Sequence, residues 1–454
     1  MRRFCKEVGL AFFIIIFAGC ASVPKKDAQL ISDQALWEKE VSLSESPEEK
    51  LPELTEKSTL SDYIAYAALN NPGLKAAFLN WKAALEKIPQ VTTLPDPRFT
   101  YAYYIQEVET RVGSQRQSFA LTQTFPWLGK LQLQGNAAVE AARAEKARYD
   151  AAKLKLFYQV QEAFYEYHYL AQATAVTQEN LNYVQYLESV ARAGYSAGMT
   201  PYADVVRAQV ELGRLEDRLK TLNDEAEPIA AKLNAALNRP SGAQLFFPEK
   251  LEEEKVSFTQ EQLLTWLKEN NPDLKAISSQ AAQAKWNIDL AKKNFYPDIT
   301  LGMQGIDTSN ALLPDTPDSG KDPIIATASI NVPIWWNKYR AEGREASARY
   351  KSFLRDREDK ENRLVANIKW ALYKYRDAER KIALYRDALL PEAKQAFEVS
   401  IQGYETGKGT FPNVVDSIRT LLEFELSYQR AFTDRAQRLA ELEMLVGRSF
   451  PSSE

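Results

Sequence analysis

Four short segments alternate apolar and polar residues with the period of a β-strand. RFTYAYYIQ (98–106) sets Phe99, Tyr101, Tyr103 and Ile105 on one face, and QSFALTQTF (117–125) sets Phe119, Leu121 and Phe125 opposite Ser118, Ala120, Thr122 and Thr124. DITLGMQG (298–305) alternates Ile299, Leu301 and Met303 with Thr300, Gly302 and Gln304, and IIATASINV (324–332) alternates more weakly. Period two predicts four strands in two pairs. Each pair closes on an aromatic proline turn, FPWLGK (125–130) and VPIWWNK (332–338). A long stretch with few breakers then follows: 130–193 holds no proline and only Gly135, and 336–402 holds only Gly343 and Pro391. Helices of such length reach roughly 95 Å at 1.5 Å per residue. They must pack lengthwise in coiled-coil fashion, because no compact domain buries them.

The pattern occurs twice. NNPGLKA (70–76) returns as NNPDLKA (270–276), an offset of 200. Each phrase lies in a helix leading to a strand pair, about Leu60 to Pro89 and about Thr259 to Phe295, with the proline suiting a break and a fresh helix start. Both helices end at a proline-aspartate, LPDP (94–97) and YPD (296–298). The long helices break at GYSAGMTPYADVV (194–206) and GYETGKGTFPNVV (403–415), now at an offset of 209. There Gly194, Gly198, Gly403 and Gly407 are expected to form the turns, with two glycines per tip allowing positive φ. Thr200 and Thr410 are expected to cap the returning helices, with Pro201 and Pro412 in their first turns. The organisation is a first repeat over 58–239 with its tip at 194–201, a linker over 240–257, a second repeat over 258–448 with its tip at 403–411, and a tail over 449–454.

The chain begins with Arg2, Arg3 and Lys6 before an apolar run over 8–19, too short to span a membrane comfortably. Residues 1–19 therefore read as a signal peptide. FAGCAS places Cys20 after two small residues and resembles the bacterial lipoprotein signal, in which that cysteine carries lipid such as palmitate. Phe17 stands where that signal usually has Leu, and a plain secretory signal is the alternative. Ala21 occupies the position where the inner-membrane retention signal has Asp, so the resemblance implies the outer membrane of a Gram-negative cell. Residues 20–57, polar and acidic around SESPEEK, read as a tether. With Cys5 lost and Cys20 lipidated, no thiol is left for a disulfide or for catalysis.

A net charge of −4 gives no general attraction for nucleic acid. One histidine, His168, lies in the helical pattern FYEYHYLAQ and reads as packing. With four methionines, the chain has too few soft or imidazole ligands for a metal site of that kind. No Ser-His-Asp set, phosphate-binding glycine loop or paired metal-ligand motif appears, so neither enzyme nor cofactor is implied.

Four strands cannot close into a membrane barrel, since the smallest have eight. Open strand edges cannot sit in lipid either. Three subunits sharing one barrel would supply twelve strands, with Tyr101, Tyr103, Tyr104, Phe125 and Trp127 suited to the interfacial girdle. A soluble pair of β-hairpins capping a helical rod is the alternative. The expected class is mainly α with a membrane β-barrel portion, built as a two-fold repeat.

The lipoprotein start, the duplicated order, the FPWLGK junction and the GYxxG turns together resemble the TolC-type outer-membrane efflux channels over about residues 58–448. The resemblance implies a homotrimer with a twelve-stranded barrel and a helical tunnel through the periplasm. It also implies docking on a periplasmic adaptor protein and an inner-membrane pump, of the resistance-nodulation-division type. Such a channel is a passive exit duct for small molecules or ions, with heavy metals or drugs as cargo. A protein-secretion duct is the sister reading, and a coiled-coil periplasmic lipoprotein without a pore is the alternative of another class. The family's periplasmic gate pairs a tyrosine in the second turn with an aspartate past the first, here Tyr404 and Asp204. A family link through an arginine is missing, with Gly409 and Ala203 at its positions. Of two acidic positions after the second turn, the first is Asn413 and the second Asp416, implying a ring of three carboxylates rather than six. Asp204 is equally explained as an acid in a first helical turn, favoured by the dipole.

Overall fold

The computed structural model describes residues 54–246 and 256–450. Cys20, the signal peptide and most of the tether lie outside the described residues. The chain divides into two units, one of Leu79–Lys146 with Ala276–Glu358, the other of the remaining described residues. In chain order the elements are α1 (Leu60–Asn70), α2 (Pro72–Thr92), β1 (Arg98–Thr110), β2 (Gly113–Phe125), α3 (Lys130–Ser196) and α4 (Tyr202–Ala236). The second repeat gives α5 (Gln260–Asn270), α6 (Pro272–Lys293), β3 (Ile299–Thr308), β4 (Ile324–Ile330), α7 (Trp336–Leu384), a π turn (Tyr385–Leu389), α8 (Leu390–Glu405) and α9 (Phe411–Val446). Among the described residues no helix is long and apolar enough to cross a membrane.

The first unit holds a four-stranded antiparallel sheet in the order β1-β2-β3-β4. The two repeats meet where β2 pairs β3, with Phe125 opposite Ile299 and Phe119 opposite Gly305. Alternation sets Phe99, Tyr101, Tyr103 and Ile105 on one face, continued across the sheet by Phe119, Leu301, Met303, Ile324 and Ile330, and all of these are exposed. Tyr101 packs on Phe119 across the strands at 5.3 Å. β1 and β2 run 13 residues each, beyond the apolar alternation of 98–106 and 117–125. The extra length is polar, with Arg116 and Glu107 paired at 3.5 Å, so hydrophobic patterning is silent there. A tight turn joins them at Thr110 opposite Gly113. Gly113 has φ 130°, and a Cβ on it would lie 1.7 Å from the Ser309 carbonyl oxygen. β3 extends to Thr308, whereas β4 stops at Ile330, short of 332.

The proline turn after β2 is fastened to the start of β3. The Trp127 ring stacks on Tyr296 with centroids 5.2 Å apart. The Trp127 backbone N–H donates to Asp298 Oδ1 at 2.9 Å. Lys130, only 7% exposed, donates to the same oxygen at 2.8 Å and to the Tyr296 carbonyl at 3.0 Å. Trp127 is therefore held within the chain at the junction between β2 and β3.

In the second unit the duplicated phrase is a double cap. The helices expected over 60–89 and 259–295 each divide at the second asparagine, and the first runs on through Pro89 to Thr92. Asn71 Oδ1 accepts from the Leu74 N–H at 3.0 Å, and Asn271 Oδ1 from the Leu274 N–H at 3.0 Å, covering helix-start donors. Their amide groups meanwhile donate to the ends of the return helices, Asn71 to the Ala236 carbonyl at 2.9 Å and Asn271 to the Leu445 carbonyl at 2.8 Å. Those helices end on matching left-handed residues, Asn238 with φ 55° and Gly447 with φ 84°. Residues of the expected linker and tail join this packing. The Tyr63 hydroxyl donates to the Phe246 carbonyl at 2.6 Å, and Phe450 lies 4.7 Å from the ring of Phe258.

The main core of this unit runs along α3, α4, α8 and α9, from Leu170 and Leu181 through Leu215 and Phe397 to Ile418 and Leu426. His168 is buried on α3. Polar ties cross the helices: Arg430 donates to both oxygens of Glu166 at 2.8 and 3.0 Å, and Asn180 donates to Glu425 at 3.2 Å. The second long helix is not continuous over 336–402. It passes through Gly343 undisturbed but opens into the π turn, where the Leu390 N–H reaches back to the Tyr385 carbonyl just before Pro391, which has no N–H to donate.

Candidate gate at the hairpin ends

The two helical hairpins end in turns built alike. Gly198 with φ 72° and Gly407 with φ 70° each take the left-handed position. Gly194 and Gly403 are helical, so each tip has one positive-φ glycine and not two. A Cβ on Gly194 would lie 2.8 Å from Thr200 Oγ1, so close approach accounts for glycine there. The Gly194 carbonyl accepts from the Met199 N–H at 2.8 Å, and the Gly403 carbonyl from the Lys408 and Gly409 N–H groups at 2.9 and 2.8 Å. Thr200 does not cap α4. Its hydroxyl donates backwards to the Ala191 carbonyl at 3.1 Å, and Pro201 holds the N-cap position. Thr410 holds the N-cap position of α9 without a side-chain hydrogen bond, with Pro412 in the first turn.

Asp204 and Tyr404 meet across the hairpins. The Tyr404 hydroxyl donates to Asp204 Oδ2 at 3.5 Å, a long bond between two buried groups. Tyr404 packs edge-on against Phe411 at 5.5 Å, which fixes the phenol. Burial pushes the Asp204 carboxyl above its usual range, opposed by Arg207, 3.9 Å away, and by the tyrosine hydroxyl. Burial and the neighbouring Asp204 also push the Tyr404 phenol up.

Asn413 and Asp416 are not brought to this pair; both are exposed on α9. Asp416 lies 4.0 Å from Arg419 and shares with Val206, Arg207, Val210 and Pro412 the lining of a groove of about 270 Å³ between α4 and α9.

A second cross-link, two helical turns beyond Asp204 along α4, was not among the residues singled out from sequence. Glu211 on α4 is 4% exposed. Its Oε2 accepts from Arg419 Nε and Nη2 on α9 at 3.0 and 2.5 Å, and from Arg214 at 3.2 Å. It ties the two hairpins through an arginine. A signal for it exists: Asp204, Ala208, Glu211 and Leu215 follow the spacing of a coiled-coil seam, and an acid on a seam requires a partner. The tips themselves differ. The first exposes Tyr195 and Tyr202, their rings tilted against each other at 5.3 Å, where the second buries Tyr404 and Phe411.

A sequence model described as "Outer membrane efflux protein" matches residues 64–239 and 263–448, one repeat each. The cobalt-zinc-cadmium resistance protein CzcC of Cupriavidus metallidurans is 21% identical over 86% of this chain and 90% of its own length. The outer membrane protein TolC of Vibrio cholerae is likewise 21% identical, covering 86% of this chain and 90% of that protein. In fold, the solved outer membrane protein VceC of Vibrio cholerae superposes with a TM-score of 0.72 at 18% identity, over 86% of this chain and 97% of that one.

Proposed function

We propose that this chain, which belongs to the outer membrane efflux protein family, is the exit channel of a tripartite efflux pump and works as a homotrimer. Membership of the family makes it an outer-membrane channel and not an enzyme. The observation that carries the rest of the proposal is the sheet. Its four strands present one apolar face outwards and leave the outer edges of β1 and β4 unpaired. Lipid tolerates the face but not the edges, so only closure with further copies makes it a membrane structure. Three copies give twelve strands, and the hairpins then form the periplasmic tunnel, closed at their tips by the Asp204–Tyr404 contact. The tips meet a periplasmic adaptor, which joins the channel to an inner-membrane pump of the resistance-nodulation-division type. Lipid on Cys20 anchors the start of the mature chain.

Small solutes or ions cross it passively. The relationship to a cobalt-zinc-cadmium resistance protein favours heavy-metal cations as cargo, driven by the pump and not held by ligands of the channel. Purified full-length protein should give discrete conductance steps in planar bilayers, and a deletion strain should become sensitive to cobalt, zinc or cadmium. An absence of conductance would leave a coiled-coil lipoprotein without a pore as the reading; conductance with unchanged metal tolerance would point to another cargo.

A further inference from the structure

We infer that Asp96 of one subunit forms an ion pair with Lys338 of the next, and that this pair sets the register of the seam between β4 and the neighbouring β1. The inference rests on the homotrimer proposed above.

The starting point is the junction inside each chain, where Lys130 and Trp127 after β2 grip Asp298 and Tyr296 before β3. Each of these positions has a counterpart in the other repeat. The proline-aspartate before β3 corresponds to Pro95-Asp96 before β1. The Trp-x-x-Lys of the first proline turn corresponds to Trp335 and Lys338, at the offset of 208 that also carries Gly135 onto Gly343. Backbone geometry supports that match: the Lys130 N–H donates to the Trp127 carbonyl at 3.0 Å, and the Lys338 N–H to the Trp335 carbonyl at 3.0 Å. Half of the junction therefore occurs at each outer edge of the sheet. It is incomplete there. Lys130 is buried, but Asp96 and Lys338 are exposed, and neither makes an ion pair among the described residues. Trp335 is 72% exposed, where Trp127 is half-buried under Tyr296. β1 and β4 are separated by two strands, about 14 Å at the usual spacing, so one sheet cannot close the pair on itself.

Carrying the observed β2–β3 register onto the open edges gives an independent check. The strands align on the turn prolines, Pro126 with Pro333 at an offset of 207, Ile334 being the one extra residue before Trp335. Phe125 opposite Ile299 then becomes Val332 opposite Pro97, and the pairs that follow are Ile330 with Phe99, Ala328 with Tyr101, Ala326 with Tyr103 and Ile324 with Ile105. Every one of these pairs joins the apolar face of β4 to the apolar face of β1. A slip of one residue would set that face of one strand against the polar face of the other. This register keeps the apolar face continuous and brings the exposed cation and anion to the same end of the seam.

The test uses the full-length protein in mild detergent. Asp96→Lys and Lys338→Asp should each lower subunit association about tenfold, as a coupling near 1.4 kcal/mol would, and the double reversal should restore it. Independently, Asp96→Cys in one tagged chain and Lys338→Cys in another, expressed together, should join under a short dithiol-specific cross-linker, and the double variant should give closed covalent trimers. Single reversals that leave association unchanged, or an absence of cross-linking in particles whose native mass is that of three chains, would overturn the pairing while leaving the trimer intact. Wild-type protein with the native mass of one chain would instead overturn the trimer.

Discussion

The guanidinium of Arg419 closes on the buried carboxylate of Glu211 from the other hairpin, 208 positions earlier, through two hydrogen bonds to one oxygen. Arg419→Ala leaves that carboxylate with Arg214 alone, and Glu211→Gln removes the charge that both arginines address. A charge-assisted contact of this kind contributes about 1–3 kcal/mol. Each variant should raise the open fraction in single-channel recordings, and the double variant should show less than the sum of the two effects. Additive effects would mean that the pair is not a link between the hairpins.

The Tyr404–Asp204 contact should be weaker. Tyr404→Phe removes a long hydrogen bond worth about 0.5–1.5 kcal/mol and should raise conductance modestly. Conductance at the wild-type level would remove this contact from the latch.

Acid should tighten the tip. Burial holds the Asp204 carboxyl above its ordinary range while the tip is closed, and hydration on opening returns it there. The closed form therefore gains stability that is full below about pH 4 and is lost as the pH climbs through the raised value. Conductance should increase across that interval, and Asp204→Asn should flatten the profile. A wild-type profile unchanged by that substitution would place the titrating group elsewhere.

Asp416 should act on ions and not on closure. It is exposed, and its 4.0 Å contact is with Arg419 one turn along the same helix, a solvated pair that joins no hairpin to the other. Asp416→Ala should reduce cation preference and block by multivalent cations, with little change in stability. An unchanged current–voltage response to multivalent cations would count against a pore-facing position.

The paired asparagines should show in stability. Asn271 is buried and caps two helix ends; Asn71 does the same half-buried. Replacement by Ala should cost about 1–2 kcal/mol, more at Asn271, by thermal or denaturant melting of the helical signal.

Much of this architecture was legible because the chain states it twice. The strand pairs, the Asn-Asn-Pro break and the glycine turns could be read from one repeat and checked in the other. The polar ends of β1 and β2 could not, because Glu107 and Arg116 carry no apolar alternation. Thr200 looked like a cap by its place before a proline, but its hydroxyl finds the nearer Ala191 carbonyl of the helix just ended. Glu211 escaped notice because charge alone marks a residue as solvated, and only the seam spacing shows that it faces another helix. The Asp204–Tyr404 pair was placed by family likeness; its burial and its 3.5 Å geometry come from the structure.

The π turn at Tyr385–Leu389 has a history in it. Gly135 and Gly343 match at an offset of 208, but Gly194 and Gly403 match at 209, so the second repeat has gained one residue along its long helix. In an α-helix one added residue turns everything beyond it by about 100°, which would have swung Tyr404 away from Asp204. The wide turn absorbs the added residue locally and restores the phase of the helix beyond it. The π turn is the scar of an insertion, healed so that the two hairpins still meet on the faces they shared when they were copies.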